Sequence, residues 1–367
     1  PVAPYAVPVD GFLPVGGPSR HLGEVHPEQV ATAGTREAAP VAMGSETTPA
    51  GTTLPHGAAT ESPATPRLLQ LLSLAEEEPE LATIAPYLID SDPVVRRTAV
   101  TVLTETVPPG TGPALAAALV DADAGVREAA AGSLGELVET LPADNALREG
   151  LAVALSADDP VVRAAALDVL RALRLGDAEL FRGSLSDSST AVRIEAVRAL
   201  VSVDATEEVA RAAGDPSREV RVTIARALGT AVTGRLGDTS PVGSGPVRAR
   251  SVLAELIADP DALVRAAAYA ALAATGCPPP LDALAVAALS DAAWQVRAGS
   301  ATALSAADPG TAVPALAKAL ADPNADVRKA AVLALTRHRA TEDTRAALAT
   351  ATTDTDADVR AYATRAL

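Results

Sequence analysis

Arginine and aspartate recur in this chain at a fixed offset, and together they are the raw material of an acid–base or anion-handling site. The arginines are Arg96, Arg127, Arg163, Arg193, Arg221, Arg265, Arg297, Arg328 and Arg360, spaced by 31, 36, 30, 28, 44, 32, 31 and 32 residues. Six residues before the Arg stands an Asp in eight of the nine cases: Asp90, Asp121, Asp187, Asp215, Asp259, Asp291, Asp322 and Asp354. Catalysis needs such a pair once. Nine copies at one position predict a ladder of turn and inter-repeat hydrogen bonds, with charged groups engaged by each other.

Other chemistry-bearing residues are scattered. His21, His26 and His56 lie in the first 66 residues, and His338 lies near the end of a predicted helix. None falls in a His-x-x-x-His or Cys/His grouping with metal-ligand spacing. Cys277 is the single cysteine and adjoins three prolines in a predicted loop, so no internal disulfide forms, which fits a reducing compartment. There is no nucleophile elbow, phosphate-binding Gly loop or dinucleotide fingerprint; Gly16-Gly17 and Gly243-Ser-Gly245 read as linker glycines. The expectation is no enzyme, no metal and no cofactor.

The elements that position the ladder are also written in the spacing. A Val precedes every one of the nine arginines and a Leu lies seven residues after each. Ala stands three residues after in seven cases, with Ile224 and Ser300 as exceptions. Offsets of −1, +3, +6 and +7 share one face of an α-helix. Four residues before the Arg sit Asp92, Asp123, Asp159, Ser189, Ser217, Asp261, Asn324 and Asp356, residues that cap helix N-termini. Pro93 and Pro160 follow at the first helical position, where a missing N–H is harmless. Short apolar helices precede, such as 112–119 and 313–320. Each unit is therefore helix, turn, helix. One unit cannot bury its own apolar face, whereas a row of them can.

Composition narrows the setting. Of 367 residues, 48% are hydrophobic but only 2% aromatic, which suits closely packed Ala- and Leu-rich helices. The net charge is −16 and no basic stripe is segregated, so duplex nucleic acid and anionic membranes are disfavoured partners. The uncharged stretch 266–281 is broken by three prolines and too short to span a bilayer, and no secretion signal opens the chain. Lys occurs only at 318 and 329, a usage associated with GC-rich bacterial genomes. The expected location is the cytoplasm. Residues 1–66 hold 11 of the 29 prolines and 8 of the 25 glycines and read as a disordered or extended tail. Within it, Tyr5 and Phe12 flank a short apolar segment that reads as a docking element. Thr65 is expected to cap a helix that starts at Pro66 and ends near Pro79.

The run Asp322-Pro-Asn-Ala-Asp-Val-Arg328-Lys-Ala-Ala331-Val-Leu-Ala334-Leu335 resembles the HEAT repeat, in the short variant shared with the phycobilin lyases, and the likeness extends over residues 67–367. The resemblance implies an all-α, right-handed α-solenoid of about nine HEAT-like helical hairpins. It implies a protein-binding scaffold or adaptor whose second helices line a concave face, with unknown protein partners. Two alternatives belong to the same family: an accessory factor in cofactor or pigment maturation, and a DNA glycosylase, against which the acidity and scarce aromatics weigh. Outward positions should fall one, two and five residues after each Arg. Among those and the departures from the pattern, Glu195, Arg198, Arg226, Trp294 and Tyr362 are the candidate contacts, while Ala267 and Gly299 are expected to be exposed.

Four departures stand out. Ala157 replaces the turn Asp in the third unit, with Asp158 beside it. Ala293 replaces the cap in the seventh, followed by Trp294, the only Trp. An insertion over 233–246 lengthens the fifth unit. The pattern runs to Leu367 without a polar capping helix, so the expectation is either that the array is cut there or that a partner or a second copy covers its last unit.

Overall fold

The computed structural model describes residues 64–233, 245–339 and 341–367. Tyr5, Phe12, the three N-terminal histidines and the body of the expected insertion lie outside the described residues.

Nineteen α-helices and no strand occur among the described residues. α1 (Thr65–Leu74) stands alone, and nine pairs follow. These are α2 (Leu81–Leu88) with α3 (Pro93–Thr106), α4 (Thr111–Ala118) with α5 (Ala124–Glu136), and α6 (Asn145–Ala154) with α7 (Pro160–Ala172). Then come α8 (Ala178–Arg182) with α9 (Thr190–Ser202), α10 (Thr206–Arg211) with α11 (Arg218–Thr233), and α12 (Gly245–Leu256) with α13 (Ala262–Thr275). The last three are α14 (Leu281–Ala288) with α15 (Trp294–Ala303), α16 (Pro309–Ala319) with α17 (Ala325–Thr336), and α18 (Glu342–Ala351) with α19 (Ala357–Ala366). Each second helix packs on the second helix of the next unit, the arrangement of an α-solenoid.

The capping residues act largely as their types dictate. Asp92, Asp123, Asp159, Asp261, Asn324 and Asp356 each accept a backbone N–H from the first turn of their helix. Two serines do not follow. Ser189 occupies the cap but its hydroxyl accepts no first-turn N–H. The Ser217 hydroxyl instead donates to Glu219 at 2.7 Å, a stronger acceptor one step away. Ala293 leaves α15 without a side-chain cap. α1 also differs from expectation. Thr65 lies inside it, uncapped Ala64 precedes it, and it stops at Leu74. Beyond, Glu76, Glu77 and Glu78 offer nothing to bury, and the chain turns at Glu78 with φ 49°.

The core is the predicted stripe. Val95, Ala99 and Leu103 are buried, as are their counterparts through Val327, Ala331 and Leu335. Ser300, which replaces Ala, is buried too, with its hydroxyl donating 2.8 Å to the Val296 carbonyl. Leu367 is 62% exposed among the described residues.

Glycine decides how closely neighbouring units approach. A Cβ placed on Gly299 would meet the Ala266 carbonyl oxygen at 2.4 Å, and one on Gly229 the Ala271 Cβ at 3.0 Å. Backbones of α11, α13 and α15 therefore pack nearly in contact along the second-helix row. That closeness buries Ala267 and Gly299, which the sequence placed outward.

Candidate functional site: an arginine–aspartate ladder and the second-helix face

Each ladder arginine does two things. Arg96 Nη1 donates to the Asp90 carbonyl of its own turn at 2.7 Å. Its Nε and Nη2 then form a fork on Asp121 of the next unit, at 2.8 and 2.7 Å. Asp121 Oδ1 also accepts the Asp123 N–H at 2.8 Å, so one carboxylate closes its own turn and joins two units. Forks of the same kind join Arg163 to Asp187, Arg193 to Asp215, Arg221 to Asp259, Arg297 to Asp322 and Arg328 to Asp354. Arg265 is looser, reaching both Asp291 oxygens only through Nη2, at 3.4 and 3.1 Å. Arg127, facing Ala157, turns instead to the cap residue Asp159 rather than to Asp158.

The ladder has one more member than the repeat count suggested. Arg67 of α1 lies 3.3 Å from Asp90, so α1 acts as the second helix of an incomplete unit. Its signal was Leu74, seven residues after Arg67, but Pro66 stands where Val should be. At the other end Arg360 donates to the Asp354 and Thr355 carbonyls and reaches no carboxylate among the described residues.

These pairs are chemically quiet. The guanidinium of Arg163 holds Asp187 below the usual carboxylate range, and Arg328 does the same to Asp354. For Asp121, burial pushes upward but the hydrogen bond from Arg96 and the turn N–H outweigh it. A carboxylate held in its charged form by a guanidinium fork and a turn N–H is a weak base. Cys277 is equally unsuited, since burial pushes its thiol up to about 11. His338 Nε2 lies 2.9 Å from the Leu304 carbonyl and ties the eighth unit to the seventh. Among the described residues no group of three or more His, Cys, Asp or Glu is placed to hold a metal, and no helix is long and apolar enough to cross a membrane.

The second-helix face differs from the ladder. On α7 and α9, Asp168, Arg171, Glu195 and Arg198 form a cluster linking the third and fourth units. Arg171 pairs with Asp168 within α7, and Arg198 Nη1 donates to Glu195 Oε1 at 2.5 Å within α9. Two buried atoms there have no hydrogen-bond partner: Arg171 Nε and Glu195 Oε2. Burial raises the Glu195 carboxyl above its ordinary range, against the pull of Arg198. Arg226 follows on α11, exposed and outside any ion pair among the described residues.

The remaining candidates separate. Trp294, the first residue of α15, is half-buried against the core. Tyr362 is 40% exposed on α19, far along the stack from Glu195. Glu195 and Arg198 lie together on α9 and Arg226 on the adjacent α11, while Asp168 and Arg171, which the sequence did not single out, join Glu195 and Arg198 from α7. The signal of Asp168 and Arg171 was the same outward offset, at +5 and +8 from Arg163.

An open groove of about 420 Å³ lies between α8 and α10, lined by Arg182, Glu208, Arg211 and Asp215. Arg182 and Arg211 are already paired with Glu179 and Glu208 along their own helices.

The HEAT-repeat family model matches residues 81–171, 206–305 and 281–367. The chain is a HEAT-repeat protein. Among curated proteins, none matches the sequence. Among solved structures it is similar to a chain in the structure of Kap95p with RanGDP, at 11% identity and TM-score 0.53, covering 84% of this chain and 49% of that one. It is also similar to importin beta, at 15% identity and TM-score 0.54, covering 77% of this chain and 44% of that one. An engineered protein aligns over 84% of this chain and 95% of its own length, at 20% identity and TM-score 0.46. The chain thus spans about half the length of the two natural structures, and the likeness shows the fold, a helical-repeat solenoid.

Proposed function

We propose that this HEAT-repeat stack is an adaptor that holds a protein partner against its second-helix face, centred on Asp168, Arg171, Glu195, Arg198 and Arg226. The observation that carries this reading is the half-satisfied charge cluster. Buried polar atoms are normally hydrogen-bonded, and a low-dielectric site makes an unpaired one costly. Along the whole ladder, among the described residues, only Arg67 Nε is a buried atom without a hydrogen-bond partner, whereas the Glu195 cluster alone leaves two, Arg171 Nε and Glu195 Oε2. Side chains or backbone of an α-helix or extended segment laid along the row would complete it. Arg226 on α11, outside any ion pair among the described residues, adds a further cation. The segment around Tyr5 and Phe12 is a second docking element in this reading, and the cytoplasm is its setting, since the lone buried thiol suits a reducing compartment.

The test is affinity capture from host extract with the full chain, comparing the parent with R198E/R226E and with Y5A/F12A. The reversal of charge should abolish or strongly reduce capture of a partner while leaving the melting temperature unchanged. A partner retained undiminished by R198E/R226E would remove the second-helix face from the reading, and loss in Y5A/F12A alone would assign recognition to the N-terminal segment.

A further inference from the structure

Between the second and third units the stack is built differently from everywhere else, and we infer that this junction is a hinge on which α1–α5 rotate as a body against the rest of the array.

The first observation is the swivelling rung. Where the other forks take two carboxylate oxygens or one whole turn Asp, Arg127 brings Nε and Nη2 onto the single oxygen Oδ2 of Asp159, at 3.1 and 2.8 Å. The other oxygen, Oδ1, accepts the Val161 N–H at 2.9 Å and caps α7. Two donors on one oxygen fix a distance but not an angle, unlike the parallel pair of a bidentate fork. The rung is also wetter. Side chains of Arg127 and Asp159 are 22% and 29% exposed, close to the 22% and 22% of the loose Arg265–Asp291 rung and above the 14% and 12% of Arg96 and Asp121. The cause is one residue, Ala157, because its backbone keeps the ladder register: Arg163 Nη1 donates to the Ala157 carbonyl at 2.7 Å, as in the other units.

The second observation is a fulcrum with a gap opposite it. On the first-helix side, α4 and α6 touch through small residues. A Cβ on Gly150 would lie 2.9 Å from the Ala116 Cβ, and one on Gly112 would lie 3.1 Å from Leu147 Cδ2. On the second-helix side, α5 and α7 pack more sparsely than any other successive second helices. On α5, Gly135 stands eight residues after Arg127, as Gly229 does after Arg221, yet its Cβ position has nothing within 4 Å where that of Gly229 meets Ala271. The contrast is with α11, α13 and α15, where glycine brings second helices together and no gap remains. Close contact on one side and open space on the other is the geometry of rotation about the contact.

The third observation concerns the two bodies. The α5–α6 connection, 137–144, is the longest fully described one between units, anchored in the core by Leu137 and Leu141. α6 belongs to the far side, since Arg148 Nε donates at 2.9 Å to the Leu175 carbonyl in the connection from α7 to α8. α5 belongs to the near side, since Thr104 and Ser133 hydrogen-bond between α3 and α5 at 2.6 Å.

The test is double electron–electron resonance on the full chain carrying C277A, which removes the buried thiol. One spin-label pair spans the junction, at Thr101 on α3 and Ala172 on α7. A control pair, Arg198 on α9 and Ala270 on α13, spans the same number of units elsewhere. The junction pair should give the broader distance distribution. A157D restores the missing turn carboxylate and should narrow it to the control width, while R127Q should broaden it further. The hinge is overturned if the junction pair is as narrow as the control, or if folded A157D and R127Q both leave its width unchanged.

Discussion

Alanine at position 299 is a small change with a large expected cost. In Gly299→Ala, the new methyl would lie 2.4 Å from the Ala266 carbonyl oxygen and 3.2 Å from the Ala266 carbonyl carbon and Cα. A relaxed carbon–oxygen contact needs about 3.3 Å, so α15 must withdraw by about 0.9 Å from α13. The obstacle is backbone and cannot rotate away. Overpacking of this kind costs about 1–3 kcal/mol, with the rigid neighbour placing it high in that range. The better helix propensity of Ala returns about 1 kcal/mol, leaving a net loss of about 1–2 kcal/mol. Gly132→Ala is the matched control, since nothing lies within 4 Å of its Cβ position. It keeps the propensity term alone and should gain about 1 kcal/mol. Urea unfolding followed by far-UV circular dichroism reads both. Amide exchange in α13 and α15 accompanies it, because a repeat stack need not unfold in one step. If Gly299→Ala is as stable as the parent, the second helices do not approach as closely as this packing requires.

Two further outcomes follow from the core and the ladder. Leu200→Ala and Leu228→Ala each leave a cavity between stacked helices and should cost about 2–5 kcal/mol in the same urea experiment; a loss under about 1 kcal/mol in both would undo the repeat register. Acid should weaken the stack in a defined window. The folded carboxyls of Asp187 and Asp354 are held low by Arg163 and Arg328, while the unfolded values return to about 3.9. Their contribution is therefore complete above about pH 4 and is lost as pH falls through the lower folded values. A urea midpoint flat from pH 7 to 5 and falling below 4 is expected, and a midpoint that falls already between 7 and 5 would contradict the ladder.

The fold was legible because each unit repeats the same solution. Val at −1, Ala at +3 and Leu at +7 recur often enough to fix the buried face of every second helix. The Asp at −6 predicted a turn and an inter-repeat bond, and the forks on Asp121 through Asp354 bear that out. What escaped depended on distances between units, which no single repeat encodes. Arg67 was missed because Pro66 breaks the Val-Arg anchor. Ala267 and Gly299 were placed outward by helical offset, but glycine at 229 and 299 draws the neighbouring helix over them. Asp168 and Arg171 carry the outward offset too, yet nothing in the sequence says that Arg171 Nε and Glu195 Oε2 end up buried together. Trp294 drew attention through rarity, and rarity is no guide to exposure.

The departures from the repeat are also not independent of one another in space. Ala157 loosens the rung between the second and third units. Gly229 and Gly299 tighten the row between the fifth and seventh. The half-satisfied cluster of Asp168, Arg171, Glu195 and Arg198 sits on the units between those two regions. A segment bound along the second-helix face there would rest on a fixed wall formed by α11, α13 and α15. Its other side would meet α5, whose distance from α7 is set by a single-oxygen rung. Binding that draws α5 toward α7 and binding that completes the Glu195 cluster would then reinforce each other, since the ligand would contact both sides of the junction in only one of its positions. A157D offers a way to separate the two effects. It should leave the cluster untouched while fixing the junction, so a changed dissociation constant for the captured partner in that variant would report coupling between hinge and face, and an unchanged one would show that the face acts alone.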